Sequence, residues 1–137
     1  MPKEKTVKQW CFYLIENGTH TYAGISNDPM RRLRCHNGEI KGGSRHTKII
    51  GPGWTHVCII HGFDQRGAIQ FEYAIKHPVV SGIQSRVAKM VSVMHRDNWT
   101  PKSKPSSSYH LSMIWYDAIA NAPIDLPENV QITYNID

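Results

Sequence analysis

Asn17-Gly18 sits between two runs of aromatic and β-branched residues, Trp10–Ile15 and Thr19–Ile25. An Asn-Gly pair in that setting is a strong local signal for a tight antiparallel turn, so the chain is expected to open on a β-hairpin. Asn27-Asp28-Pro29 follows at once. Asp28 can cap free backbone N–H groups, and Pro29 suits the first helical position, where its missing N–H costs nothing. The spacing predicts a helix from there to Cys35–His36, stopping before Asn37-Gly38. Thr55–His61 reads as a third strand. Asp64–His77 reads as a helix ended by Pro78. Ile83–His95 and Tyr109–Ala120 show helical apolar spacing, and Val130–Tyr134 reads as a short strand. The expected class is α/β of the α+β type, a small, mainly antiparallel three-stranded sheet flanked by helices. Residues 1–80 would form the core and residues 81–137 a helical C-terminal extension packed on it. A chain of 137 residues suits one compact domain.

Charge is distributed unevenly. Residues 1–48 hold nine Lys/Arg against four Asp/Glu, and residues 49–137 hold seven of each, so the whole excess of +5 lies in the first third. A basic face on an otherwise neutral domain suits a polyanion such as DNA or RNA. No apolar run approaches the ~18 residues of a membrane span. The start, Met1-Pro2-Lys3-Glu4-Lys5, has no secretory apolar stretch. Cys11, Cys35 and Cys58 form no CxxC pair, and an odd count argues against a disulfide framework. They read as reduced thiols of an intracellular protein, two of them in the core.

Four features could carry chemistry, and each has an ordinary reading beside it. Glu72 has Ala68 and Ile75 at i−4 and i+3, which places it in an apolar helix face. A buried carboxylate there needs a partner, either a salt bridge or a hard cation such as Mg²⁺. Arg32 and His36 share one helix face, where an arginine fork could grip a phosphate. Arg31 and Arg34 point elsewhere, toward general backbone contact or plain solvation. Tyr13 and Tyr22 lie on the hairpin strands, where packing is the default; Gly24 could mark close approach of backbone to a ligand. Finally, residues 38–53 hold five glycines. Lys41, Arg45 and Lys48 stand there on what reads as a mobile loop, either solvated or clamping a nucleic-acid backbone.

The order of these features is more specific than any one of them. Cys11-Phe12-Tyr13 and Tyr22-Ala23-Gly24, followed by an Arg and a Glu on successive helices, resemble the GIY-YIG nucleases, with Cys11 in place of the first glycine. The stretch from Asn27 to Gly38, then Lys41-Gly42-Gly43, Gly51-Pro52-Gly53-Trp54, His61-Gly62-Phe63 and Phe71 to Pro78, resembles the Slx-type branch of that family. The likeness is dense from Tyr13 to Pro78 and looser through Tyr109-His110-Leu111.

The resemblance implies an active site of Tyr13, Tyr22, Arg32, His36 and Glu72. Glu72 would hold one Mg²⁺ (or Mn²⁺), and Arg31, Arg34, Lys41, Arg45 and Lys48 would contact DNA. Tyr13, with help from His36, would take a proton from the attacking water, provided nearby cations lower its pKa. Arg32 would neutralise the phosphate and Tyr22 would position it. The expected activity is structure-specific cleavage of branched DNA, at a flap, fork or Holliday junction, in repair and recombination. The expected location is the nucleus or a cytoplasmic site of DNA replication, as for a large DNA virus. Eukaryotic Slx-type proteins carry a RING-type zinc domain that binds a scaffold partner. No cysteines for one are found here, so that partner is left open. So are a homodimer and two sequential cuts at a four-way junction. Two other readings stand beside this one: a sequence-specific nuclease of the same fold, and a non-catalytic module binding branched or duplex DNA.

Overall fold

The structure is a computed structural model that describes residues 9–135. Strands β1 (Trp10–Asn17) and β2 (His20–Ser26) form the hairpin, followed by helices α1 (Pro29–His36) and α2 (Arg45–Ile50). Strand β3 (Thr55–Phe63), helices α3 (Gln65–Lys76) and α4 (Ile83–Met94), and strands β4 (Leu111–Trp115) and β5 (Val130–Tyr134) complete the chain. The sheet runs β2-β1-β3-β4-β5 and is antiparallel except for β4-β5, which is parallel.

The class is as expected, but the sheet has five strands and not three. The main correction is at Tyr109–Ala120, which holds β4 and a short 3₁₀ turn where a helix was expected. Apolar residues there fit both periods. What decides is the edge of β3, which β4 covers in register: Ile59 opposite Ile114 and Ile60 opposite Met113. Leu111, Met113 and Trp115 then alternate into the core with Ser112 outside, the pattern of a half-buried strand.

The hairpin also turns one residue later than Asn17-Gly18 suggests. Asn17 pairs with His20, so Gly18-Thr19 is the turn, with Gly18 at φ 62. Asn17 is put to another use: its amide donates to the carbonyls of Gly51 and Pro52 at 3.2 and 3.1 Å.

Alternation along β1 divides the core in two. Phe12 and Leu14 face a large cluster with Phe71, Ile75, Met90, Trp99 and Trp115, roofed by α3 and α4. Cys11, Tyr13 and Ile15 face a smaller one with Trp54 and Ile59, joined by Tyr22, Leu33 and Ile50. All three cysteines are free and buried, one more than the two expected in the core. Among the described residues, no helix is long and apolar enough to cross a membrane.

Candidate active site

The site forms at the β2 edge of the sheet, on the face of the smaller cluster. Tyr13 points into that face and is 1% exposed. Directly opposite it on β2 stands Gly24. A Cβ at Gly24 would come within 2.7 Å of the Tyr13 ring carbon Cζ and overlap its hydroxyl. Gly24 therefore makes room for the Tyr13 side chain of the same protein.

Helix α1 begins where its sequence predicts. The Asp28 carboxylate accepts from the Arg31 N–H at 3.1 Å, and Pro29 occupies the first turn. The helix carries His36 onto Tyr13, with Tyr13 Oη and His36 Nε2 2.7 Å apart. The Tyr22 ring lies 4.9 Å from the His36 ring, centroid to centroid. Arg32 is near enough to both tyrosines for its charge to act on each.

The glycine-rich segment is more ordered than its composition suggests. Ser44 caps α2 by accepting from the Thr47 N–H at 3.1 Å. Gly43 lies against α1, where a Cβ would meet the Cys35 carbonyl oxygen at 2.7 Å. Asn37 closes the segment by accepting from the Gly53 and Trp54 N–H groups at 3.0 and 2.7 Å. The effect is to hold Thr47, fully buried, with its hydroxyl 2.9 Å from His36 Nδ1. The expectation of a plain mobile loop is corrected here too.

This network assigns the imidazole tautomer. Arg32, which can only donate, bonds to the Tyr13 oxygen, so the Tyr13 hydroxyl hydrogen goes to His36 Nε2. The Thr47 hydroxyl donates to the Ser44 carbonyl at 3.1 Å, which leaves its oxygen free to accept from Nδ1–H. Burial, then the Arg32 charge, lowers the His36 pKa to about 4, so the ring is neutral near pH 7. Burial raises the Tyr13 pKa above its ordinary value, then Tyr22 adds to the rise, and Arg32 only partly opposes it. The phenol is thus protonated at rest, and the expectation that nearby cations lower its pKa is corrected.

Glu72 reaches the site from α3. The helix buries Gly67, Ala68, Phe71, Ala74 and Ile75, which leaves Glu72 at the margin of the apolar face, its side chain 26% exposed. It meets Lys76 at 3.4 Å, and the Lys76 ammonium lies 5.2 Å from the centre of the Tyr22 ring. The end of α3 therefore brings Lys76 to Tyr22, and the Glu72 charge acts on Tyr13. Among the described residues no three His, Cys, Asp or Glu side chains cluster as a metal cage. A single, partly exposed carboxylate, paired here with Lys76, fits Mg²⁺ or Mn²⁺, hard ions that keep several waters and take phosphate oxygens. It does not fit a structural zinc, which needs four closed ligands.

The five expected cations, Arg31, Arg34, Lys41, Arg45 and Lys48, are all exposed on α1, the segment after it and α2. Arg34 is the one tied up, by Glu39 at 3.1 Å. Cys11, which stands where the signature has glycine, places its sulfur 3.0 Å from His61 Nδ1. Burial pushes that thiol up to about 11, which makes it inert. Sequence reasoning missed Thr47 and His46. Ser44 three residues ahead of Thr47, a capping spacing, was the available signal. Nothing local marked His46, whose ring stacks at 6.1 Å on Tyr22.

Residues 9–83, more than half the chain, match the GIY-YIG catalytic domain family. The chain belongs to the GIY-YIG family, and the convergence of Tyr13, Tyr22, Arg32, His36 and Glu72 lies within the matched span. Its relatives narrow the class. It is 45% identical over 74 residues to "Structure-specific endonuclease subunit slx1" of Schizosaccharomyces japonicus, covering 50% of this chain and 27% of that protein. It is 48% identical over 61 residues to the SLX1 homolog of Leishmania infantum, covering 44% and 9%. It is 32% identical over 100 residues to SLX1 of Malassezia globosa, covering 72% and 21%. The chain thus spans roughly a quarter or less of the length of these relatives.

Proposed function

We propose that this chain is a structure-specific DNA endonuclease core that hydrolyses phosphodiester bonds near branch points with one Mg²⁺ or Mn²⁺. The observation that carries the reading is the Tyr13–His36 hydrogen bond of 2.7 Å, with Arg32 and Glu72 near enough for their charges to act on Tyr13. A protonated phenol cannot by itself take a proton from water. A phenol hydrogen-bonded to a neutral imidazole can, by passing its own proton on.

In this mechanism Tyr13 Oη accepts a proton from the attacking water while the Tyr13 proton moves to His36 Nε2. The water oxygen bonds to phosphorus and the 3′ oxygen departs as an alkoxide that takes a proton from solvent, leaving a 5′ phosphate and a 3′ hydroxyl, and His36 returns its proton to solvent. Thr47 holds Nδ1–H throughout, so the proton can arrive only at Nε2. Arg32 meets the charge that gathers on the phosphate oxygens, and Tyr22 orients the phosphate. Glu72 would hold the divalent ion, which supplies Lewis-acid stabilisation of the leaving oxygen. The exposed cations on α1 and α2 bind the DNA backbone. Phosphate contacts carry no base sequence, which supports recognition of shape.

The test is cleavage of labelled linear duplex, 5′ flap, 3′ flap, fork and four-way junction by the purified chain, with Mg²⁺ or EDTA. Nicks near the branch that need Mg²⁺ and spare the linear duplex are expected. Glu72→Ala should abolish them with junction affinity nearly intact; unchanged cutting by that variant removes the metal role. Cutting of linear duplex at fixed sites overturns shape recognition in favour of sequence. Binding without cutting points to a required partner subunit, which the relatives' names also suggest.

A further inference from the structure

One charge near the site has no counterpart. Arg86, on α4, is half-buried; its Nε is cut off from solvent and has no hydrogen-bond partner. Among the described residues it enters no ion pair; one of the three that exist joins its cleft neighbour Lys76 to Glu72. A half-buried guanidinium without a partner is costly, and such groups are normally paired. Arg86 lines a cleft of about 210 Å³ together with Lys76, His46 and Tyr22. No carboxylate lines that cleft. It is smaller than the pockets that take drug-sized ligands, and suits one small group. It adjoins the candidate site through Tyr22, whose ring lies 4.9 Å from that of His36 and 6.1 Å from that of His46. Arg86 also lies beyond the residues that match the family, 9–83, so nothing carried over from that family assigns it a role.

We propose that Arg86, with Lys76 and His46, holds a second phosphate of the bound DNA strand, next to the one that is cut. The inference rests on the nuclease reading for the identity of its ligand. The chemistry needs only a phosphate: an arginine fork binds its oxygens in pairs, and the buried Nε–H gains the acceptor it lacks. The C-terminal helix would thereby set how the strand lies across Tyr22.

The experiment follows the Arg86 side-chain Nε–H resonance in the ¹⁵N-labelled full chain, identified by its loss in Arg86→Lys. Inorganic phosphate should move it saturably, and chloride at equal ionic strength should not. In parallel, fork-DNA affinity is measured across a salt series in Glu72→Ala, with and without Arg86→Gln. Loss of one phosphate contact should make log K against log salt shallower by about 0.9. Thermal melting of Arg86→Gln should match or exceed that of the parent, since an unpaired charge is removed, and this checks folding. Both effects together support the subsite. A resonance that phosphate leaves in place, or an unchanged salt slope, overturns it. The two readings separate cleanly. Cleavage with a silent Arg86 sinks the subsite alone. A phosphate response and slope change keep the subsite even where the chain does not cut, since neither readout needs cleavage.

Discussion

At the scale of the residue, the chemistry depends on a few hydrogen atoms. Tyr13 and His36 are legible in the sequence as members of a pattern, but their protonation is not. It follows from burial, which keeps the phenol protonated and the imidazole neutral, and from Thr47, whose hydroxyl oxygen accepts from Nδ1–H and holds the proton there. Thr47 is thus a positioning residue. Thr47→Val keeps the volume and deletes the acceptor, leaving a buried N–H that costs about 1–3 kcal/mol. We expect kcat to fall with KM little changed, and Thr47→Ser to restore most of the loss. The profile of kcat/KM against pH adds a readout that a packing role would not move. In the parent, its acid limb should lie well below 6.5, because His36 titrates near 4. In Thr47→Val the freed tautomer should shift that limb. A variant with the parent's kcat and profile would rule out the positioning role.

At the scale of the element, the hairpin and α1 are where local signals worked best. The start of α1 at Pro29 and its stop at His36 follow from Asp28, Pro29 and Asn37-Gly38 without outside help. The hairpin brings Tyr13 opposite Gly24, and the two positions are one packing unit. Gly24→Ala places a methyl group where the Tyr13 hydroxyl lies. Overpacking of this kind costs about 1–3 kcal/mol. Melting should fall accordingly, and cleavage should fall further than stability does, because Tyr13 must tilt away from His36. Parent-like melting together with parent-like cleavage would show that the strands tolerate the methyl group. The glycine-rich segment misled by its composition. Five glycines suggest motion, yet Cys35, Asn37 and Trp54 tie the segment down through contacts 6 to 17 residues apart in sequence that no local pattern reveals.

At the scale of the whole molecule, the part of the chain beyond the family match is built into the core. β4 covers the edge of β3, and α4 buries Val87, Met90, Val93 and Met94 under the same sheet that carries Tyr13. Trp99 and Trp115 are 1% and 0% exposed within that cluster. Truncating one buried tryptophan typically costs about 3–5 kcal/mol, against a total stability of about 5–15 for a domain. A fragment ending at residue 83 loses both tryptophans and all of α4 beyond Ile83. We expect it to be unfolded by circular dichroism and NMR, while the full chain unfolds in one cooperative transition. A dispersed spectrum from the fragment would mean that the matched span folds alone.

The sequence by itself determined the hairpin, three of the four α-helices, the family signature and the basic first third. Each of these is written in neighbouring residues: a turn pair, a cap, a period, a run of charge. Only the tertiary structure decided that Leu111–Trp115 is a strand, because a run with mixed periodicity takes the state its partner offers, and that partner is β3. It also decided that Gly24 serves Tyr13, that Thr47 sets the His36 tautomer, and that Arg86 stands unpaired beside Tyr22. These are contacts between residues far apart in the chain. Desolvation and hydrogen bonding act on distance in space, and the chain order does not contain it.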